Sequence, residues 1–323
     1  MQQRPLGRSG LAVSRLALGT MTWGRETDAD DAAEQVKTFQ DAGGTLIDTA
    51  DVYADGEAEA VLGGLLHRLV PRDEVLIATK AGLRPGRTRR RDASRRHLLR
   101  SLDASLSRLG TDHVDLWQVH GFDPDTPLEE TLSALDHAVT SGRARYVGLS
   151  NYSGWQTARA ATLATCVPGR SPLISTQVEY SLVERGVERE VLPACAALGL
   201  GVLAWSPLGR GVLTGKYRYG VPPDSRGAAP HLDRFVAPYL DPRCGGIVES
   251  VATAADGLGA QPLAVALAWV RDRPGVSAVI LGARTAGQLV GALASERVDL
   301  PTEIRLALDD VSAPALGYPE RSG

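Results

Sequence analysis

Short apolar runs alternate with longer amphipathic ones along almost the whole chain. Residues 15–20, 45–50, 75–80, 114–120, 145–151, 173–180, 201–207 and 277–283 read as eight strands, apolar enough to be buried on both faces. The segments between them carry helical periodicity. In "SRRHLLRSLDASLSRLG", Ser94 is placed to cap the start and Gly110 to end the helix in a left-handed residue. Strand and helix alternating eight times predicts a single α/β domain over 1–323, a parallel (β/α)8 TIM barrel, with two doubly wound halves as the alternative. Two connections are longer than the pattern needs: "LRPGRTRRRD" after the third strand and "RGVLTGKYRYGVPPDSRGAAPHLDRFVAPYLDPRCGG" after the seventh. Connections of this length in a barrel suggest lids or binding segments.

Composition narrows the partners. A chain of 323 residues with a net charge of −3 and 43% hydrophobic residues can build a large core and has no electrostatic bias toward nucleic acid or a membrane surface. No run approaches a spanning helix and the first residues lack a leader's apolar segment, so a cytoplasmic location is expected. Monomer and homo-oligomer both stay open. Cys166, Cys195 and Cys244 form no CxxC pair and are read as packing residues. His67, His97, His113, His137 and His231 are scattered without a metal-ligand spacing, so no metal is expected and a barrel metallohydrolase is disfavoured.

In such a barrel, chemistry sits where strands end. Asp48 and Tyr53 follow the second strand, Lys80 closes the third and His120 the fourth. Adjacent strands lie about 5 Å apart, so these four groups should meet at one mouth. Lysine is scarce here: Lys37, Lys80 and Lys216 stand against 32 arginines, and Lys80 is the one at a buried strand end. A phenol is a weak acid with a reference pKa of about 10, and a nearby ammonium would stabilise the phenolate it leaves. Tyr53 is therefore read as proton donor to a carbonyl oxygen. Lys80 tunes it, Asp48 orients Lys80, and His120 aims a ring nitrogen at the same oxygen. No activated nucleophile or GxSxG is present, so a hydride donor must come from outside. "GRGVLTGK" fits neither a dinucleotide fingerprint nor a P-loop.

The stretches "LALGTMTWG", "IDTADVY", "IATKAG", "DHVDLWQVH", "VGLSNYS", "TQVEYSL", "LAWSPLGRGVLTGKY" and "LGARTAGQL" occur in that order, and with them the chain resembles the aldo-keto reductases from about Arg4 to Val311. The resemblance implies that Asp48, Tyr53, Lys80 and His120 form the catalytic tetrad and that NADPH/NADP+ lies extended across the barrel mouth to reduce a small-molecule carbonyl. It implies stacking of Trp205 on the nicotinamide and hydrogen bonds from Ser150, Asn151 and Gln177 to the carboxamide. Gly19, Thr20, Met21, Asp48 and Gly282 join the cofactor set at strand ends. The pyrophosphate would follow Ser206, Pro207, Leu208, Gly209 and Gly211.

"GKYRYGVPPDSR" is similar to a segment of the potassium-channel β-subunit branch and its bacterial relatives, which implies that Lys216 and Arg226, with Arg284, hold the 2′-phosphate. Gln288 would contact the adenosine. Many relatives carry a Glu-Asn pair where this chain has Gly291 and Ala292, which weakens the expected adenine contacts. Trp23, Phe122, Tyr152 and Tyr217 are expected to line a substrate pocket with Tyr53 and His120. The eight arginines of residues 84–100 are read as a solvated face near the rim that could steer anions. The same resemblance leaves a second class open: a nicotinamide-binding sensor or interaction subunit with little turnover.

Overall fold

In a computed structural model, which describes residues 1–66, 68–229, 233–315 and 317–318, the eight predicted strands close into a parallel barrel. An antiparallel hairpin of β1 (Gln3–Pro5) and β2 (Ala12–Ser14) comes first. The barrel strands are β3 (Leu16–Gly19), β4 (Leu46–Asp48), β5 (Leu76–Ala81), β6 (Val114–Val119), β7 (Ala144–Ser150), β8 (Leu173–Glu179), β9 (Gly201–Trp205) and β10 (Val276–Gly282). Neighbours pair in chain order, and β10 closes on β3. Each barrel strand falls within two residues of the range its sequence predicts. The helix Arg95–Leu109 starts at Ser94, whose side chain accepts from the His97 amide, and ends at left-handed Gly110 (φ +63°).

Strand alternation separates two cores. Outward residues such as Leu18, Ile77, Trp117 and Val147 pack under the helices. Inward residues Ala17, Leu46, Ala78, Leu116, Leu203 and Ala278 fill the barrel. The hairpin, whose strands are too short to show a period in the sequence, completes that inner core: Leu6 and Val13 join the cluster and close the amino-terminal end of the barrel. Gly7 has to be glycine there, since its φ is +60° and a side chain would meet the Ile174 carbonyl at 2.4 Å.

With one end plugged, the strands' carboxyl ends are left to build a site, and the two long connections lie at that end. In the first, Arg84 pairs with Asp92 (3.0 Å) and Arg89 with Asp123 (2.8 Å), so part of the expected solvated face is tied down. In the second, Arg210 grips Glu179 at the end of β8 with two hydrogen bonds (2.8 and 2.6 Å) and donates to the Phe235 carbonyl (2.6 Å). Its guanidinium also lies over the rings of Phe235 (3.9 Å) and Tyr239 (5.0 Å). Among the described residues, no single helix is long and apolar enough to cross a membrane; the helices Pro242–Leu258 and Pro262–Arg271 pass such a test of length and composition together but are bent by 100°.

Leu6→Ala should destabilise the chain by about 2–4 kcal/mol, since it removes a fully buried side chain from a core with little room to collapse. Urea denaturation measures this directly, and an unchanged midpoint would mean that the hairpin is not part of the barrel core.

Candidate active site

Barrel register brings the four ionisable groups together. Asp48 stands beside Ala78, two residues before Lys80 on β5. Lys80 pairs in register with Gln118, and His120 follows two residues later at the end of β6. Asp48 and Lys80 therefore point inward on neighbouring strands, while Tyr53 arrives on the turn after β4. The Lys80 ammonium has no exposed surface, and its three hydrogens have three acceptors: Asp48 Oδ2 at 2.7 Å, the Thr49 carbonyl at 2.7 Å and Tyr53 Oη at 3.3 Å. With Oη accepting from Lys80, the phenol's own hydrogen is free to point toward the cavity. Gln177 completes the arrangement by donating from Nε2 to Asp48 Oδ1 at 2.8 Å.

The charge states follow from these contacts. Burial works against the Lys80 ammonium, but Asp48 and Tyr53 outweigh it and hold its pKa above the ordinary lysine value. Burial pushes the Tyr53 phenol up and Lys80 pulls it back, leaving it protonated at neutral pH. Burial and the Lys80 charge press His120 well below the ordinary histidine value, so its ring is neutral. Its Nδ1 is buried without a partner among the described residues, and its ring meets that of Tyr53 edge-on at 6.0 Å. The mouth thus holds a protonated phenol, a fixed ammonium and a neutral imidazole.

From Tyr53 and His120 a single cavity of about 610 Å³ runs past Trp205 to Lys216, Arg226 and Arg284. Among the residues expected at a cofactor, Gly19, Thr20, Met21, Asp48, Ser150, Asn151, Gln177, Trp205, Ser206, Pro207, Leu208, Gly211, Lys216, Arg226, Gly282, Arg284 and Gln288 line it. Gly209 is buried behind the turn, where a side chain would strike Val183 at 2.5 Å, so it serves close packing and does not line the cavity. Asn151 braces the site: its amide donates to the His120 carbonyl and accepts from the Trp205 indole, both at 3.0 Å. Gln288 Oε1 accepts from the Arg284 amide at 2.9 Å.

Two features of this cavity suit a nicotinamide dinucleotide. Ser150 lines the cavity, as Trp205 does, and its buried Oγ has no partner among the described residues, which fits a carboxamide. At the far end burial, and after it the charges of Arg226 and Arg284, hold Lys216 below the ordinary lysine value, and burial holds Arg226 below the ordinary arginine value with a smaller contribution from Arg284. Cations that repel one another in a shared cleft are relieved by an anion. At Arg226 the Glu26 charge pulls the other way and outweighs the Arg284 contribution.

The expected substrate pocket needs correction. Trp23 is fully buried and donates to Gln35 Oε1 inside the outer core. Phe122 and Tyr152 pack on each other at 5.4 Å, outside the cavity, and Phe122 also meets the ring of Trp155. Tyr217 does not line the cavity either; its hydroxyl accepts from the Gly227 amide. Met21, Val52 and Leu83 are among the apolar side chains that do line the cavity. Leu83 and Phe235, another lining residue, sit on the long connections, which the sequence marks as candidate lids without showing which side chain turns inward. His67 and His231 lie outside the described residues. Among those described, no group of three His, Cys, Asp or Glu is placed to hold a metal.

A probable voltage-gated potassium channel subunit beta of Oryza sativa subsp. japonica is 35% identical over 100% of this chain and 99% of its own length. The uncharacterized oxidoreductase YrpG of Bacillus subtilis (strain 168) is 35% identical over 96% of each chain. The model of the aldo/keto reductase family matches residues 15–312, and the chain belongs to that family.

Proposed function

We propose that this chain reduces an aldehyde or ketone to the alcohol with NADPH. Family membership supports an oxidoreductase working with a nicotinamide cofactor. The observation that carries the finer reading is Tyr53 Oη, 3.3 Å from a fully buried ammonium at one end of a cavity whose other end gathers three cations. When bound, the nicotinamide supplies the hydride. Trp205 offers a flat face for its ring, and Ser150 Oγ a partner for its carboxamide. Tyr53 gives its proton to the carbonyl oxygen as the carbon is reduced, and Lys80 stabilises the phenolate left behind until solvent restores the proton. His120, neutral, orients the same oxygen with a ring nitrogen without adding charge. Asp48 and Gln177 keep Lys80 aimed at the phenol. Met21, Val52 and Leu83 favour a carbonyl with an apolar substituent.

A second reading, a nicotinamide-binding sensor or interaction subunit with little turnover, draws on the similarity to proteins named as potassium channel β-subunits. The two readings part on turnover: NADPH oxidation against a panel of aromatic aldehydes, sugar aldehydes and 1,2-diketones supports the first, and tight NADPH binding without oxidation supports the second.

Tyr53→Phe removes the proton and keeps the ring, so kcat should fall at least about a hundredfold while NADPH affinity stays within a few-fold. Unchanged turnover in a folded Tyr53→Phe protein would take Tyr53 out of the mechanism. NADPH should bind about a hundredfold tighter than NADH, since charge-assisted contacts to the 2′-phosphate are partly offset by repulsion among the three cations and by solvent at the rim. Arg226→Leu should weaken NADPH far more than NADH and leave kcat at saturating cofactor nearly unchanged. Quenching of Trp205 fluorescence offers the titration, and equal dissociation constants for the two cofactors would overturn the assignment of Lys216, Arg226 and Arg284.

A further inference from the structure

Tyr53, Lys80 and His120 keep their charge states near neutrality, yet a carboxyl two residues before the phenol is held close to its own titration. Asp51 sits on the turn between β4 and Tyr53. Its amide donates to the Lys80 carbonyl at 3.1 Å, and the Lys80 ammonium reaches back to the Thr49 carbonyl, so the Asp51 turn and Lys80 are stitched together in both directions. Its Oδ1 is buried with no hydrogen-bond partner among the described residues. The groups facing it come from three directions. Glu59 stands on the helix Glu57–Leu65, Ser101 and Arg108 on the helix Arg95–Leu109, and Lys80 on β5, with the Tyr53 phenol beside them.

Glu59 has the stronger claim on Arg108. It is fully buried, accepts from Arg108 Nε and Nη2 at 2.8 and 2.6 Å, and accepts from Thr79 Oγ1 at 2.5 Å. Asp51 therefore shares its surroundings with a carboxylate that already holds the guanidinium. Burial, and then the Glu59 charge, push the Asp51 carboxyl up to about 7, against smaller pulls from Arg108, Ser101 and Lys80. The Asp51 charge in turn raises the Tyr53 phenol, which Lys80 lowers. A neutral Asp51 leaves the Lys80 field less opposed; a charged one weakens the phenol as an acid.

We propose that Asp51 is a positioning residue that acts through Lys80 and Tyr53, the charge state of its buried carboxyl setting how readily Tyr53 gives up its proton. This rests on the reductase reading and adds to it a pH response that Lys80 and His120 do not provide. Asparagine mimics the neutral carboxyl, so Asp51→Asn should lock the more acidic phenol. In wild type, kcat for carbonyl reduction at saturating NADPH should fall about 3- to 10-fold as pH rises through 7. Asp51→Asn should stay level at the wild-type low-pH value, with KM and NADPH affinity unchanged. Glu59→Gln removes the neighbouring charge and should move the wild-type inflection to lower pH. An Asp51→Asn profile that keeps the inflection, or that is slowed equally at every pH, would overturn the proposal.

Two measurements do not need turnover and so separate this proposal from the reductase reading. In intact wild-type protein labelled with ¹³C at the aspartate carboxyl, one resonance missing from Asp51→Asn should titrate near pH 7. In the absorbance titration of tyrosine, the step missing from Tyr53→Phe should occur about one pH unit lower in Asp51→Asn. An aspartate resonance at the ordinary value for that position, or an unmoved Tyr53 step, would sink the proposal even in an active enzyme. Both shifts in a protein without turnover would uphold the electrostatic coupling and reject the reductase reading alone.

Discussion

The buried ammonium of Lys80 is the constraint around which the mouth is built. Leaving a charge of this kind unpaired in a protein interior costs several kcal/mol, and the surroundings must supply both an opposite charge and a full set of acceptors. Asp48 gives the charge, Thr49 the main-chain oxygen, and Tyr53 the third acceptor. That third bond has a chemical result. It uses Lys80 to fix the phenol oxygen and leaves the phenol hydrogen for a substrate. Gln177, 129 residues from Asp48 in sequence, holds the remaining carboxylate oxygen and ties the far side of the barrel to the same centre.

Much of this was legible in the chain because it follows from local patterns. Doubly buried strands announce themselves as apolar runs, Ser94 and Gly110 mark helix ends, and strand order alone carries Asp48, Tyr53, Lys80 and His120 to one face. What the pattern does not hold is side-chain direction in irregular segments. Trp23 looks like a mouth residue from its place after β3, yet its indole turns outward to Gln35. Phe122 and Tyr152 find each other before they find the cavity. Gly209 shares a turn with lining residues but is needed for its lack of a side chain. The hairpin of β1 and β2 was invisible because three residues are too few to show a period.

Charge runs need the same caution. Eight arginines in residues 84–100 suggest a field, but the structure engages several of them one by one. Arg84 and Arg89 neutralise Asp92 and Asp123, and Arg91 donates to the Phe122 carbonyl, so the connection after β5 is partly held by its own charges. Arg210 works similarly across a longer distance, joining β8 to the connection after β9 by charge and by ring contact together. Arginine suits both tasks, since its planar fork can bond carboxylate and carbonyl oxygens while its face rests on an aromatic ring. Three cations at the far end of the cavity are different in kind, for there the charges face one another.

Backbone strain is distributed unevenly between the two ends of the barrel. Five residues other than glycine have left-handed backbones among those described: Ala54, Asp55, Asn151, Ser206 and Arg210. All five follow the carboxyl ends of strands; none lies at the hairpin end. Each such residue costs about 1–2 kcal/mol, so the mouth is held in shape by the relaxed remainder of the barrel. For protein engineering this means that the two faces answer selection differently. A screen for heat resistance alone would collect changes that relax these five positions and so erode the mouth, whereas repacking around the hairpin would add thermal tolerance without touching the chemistry.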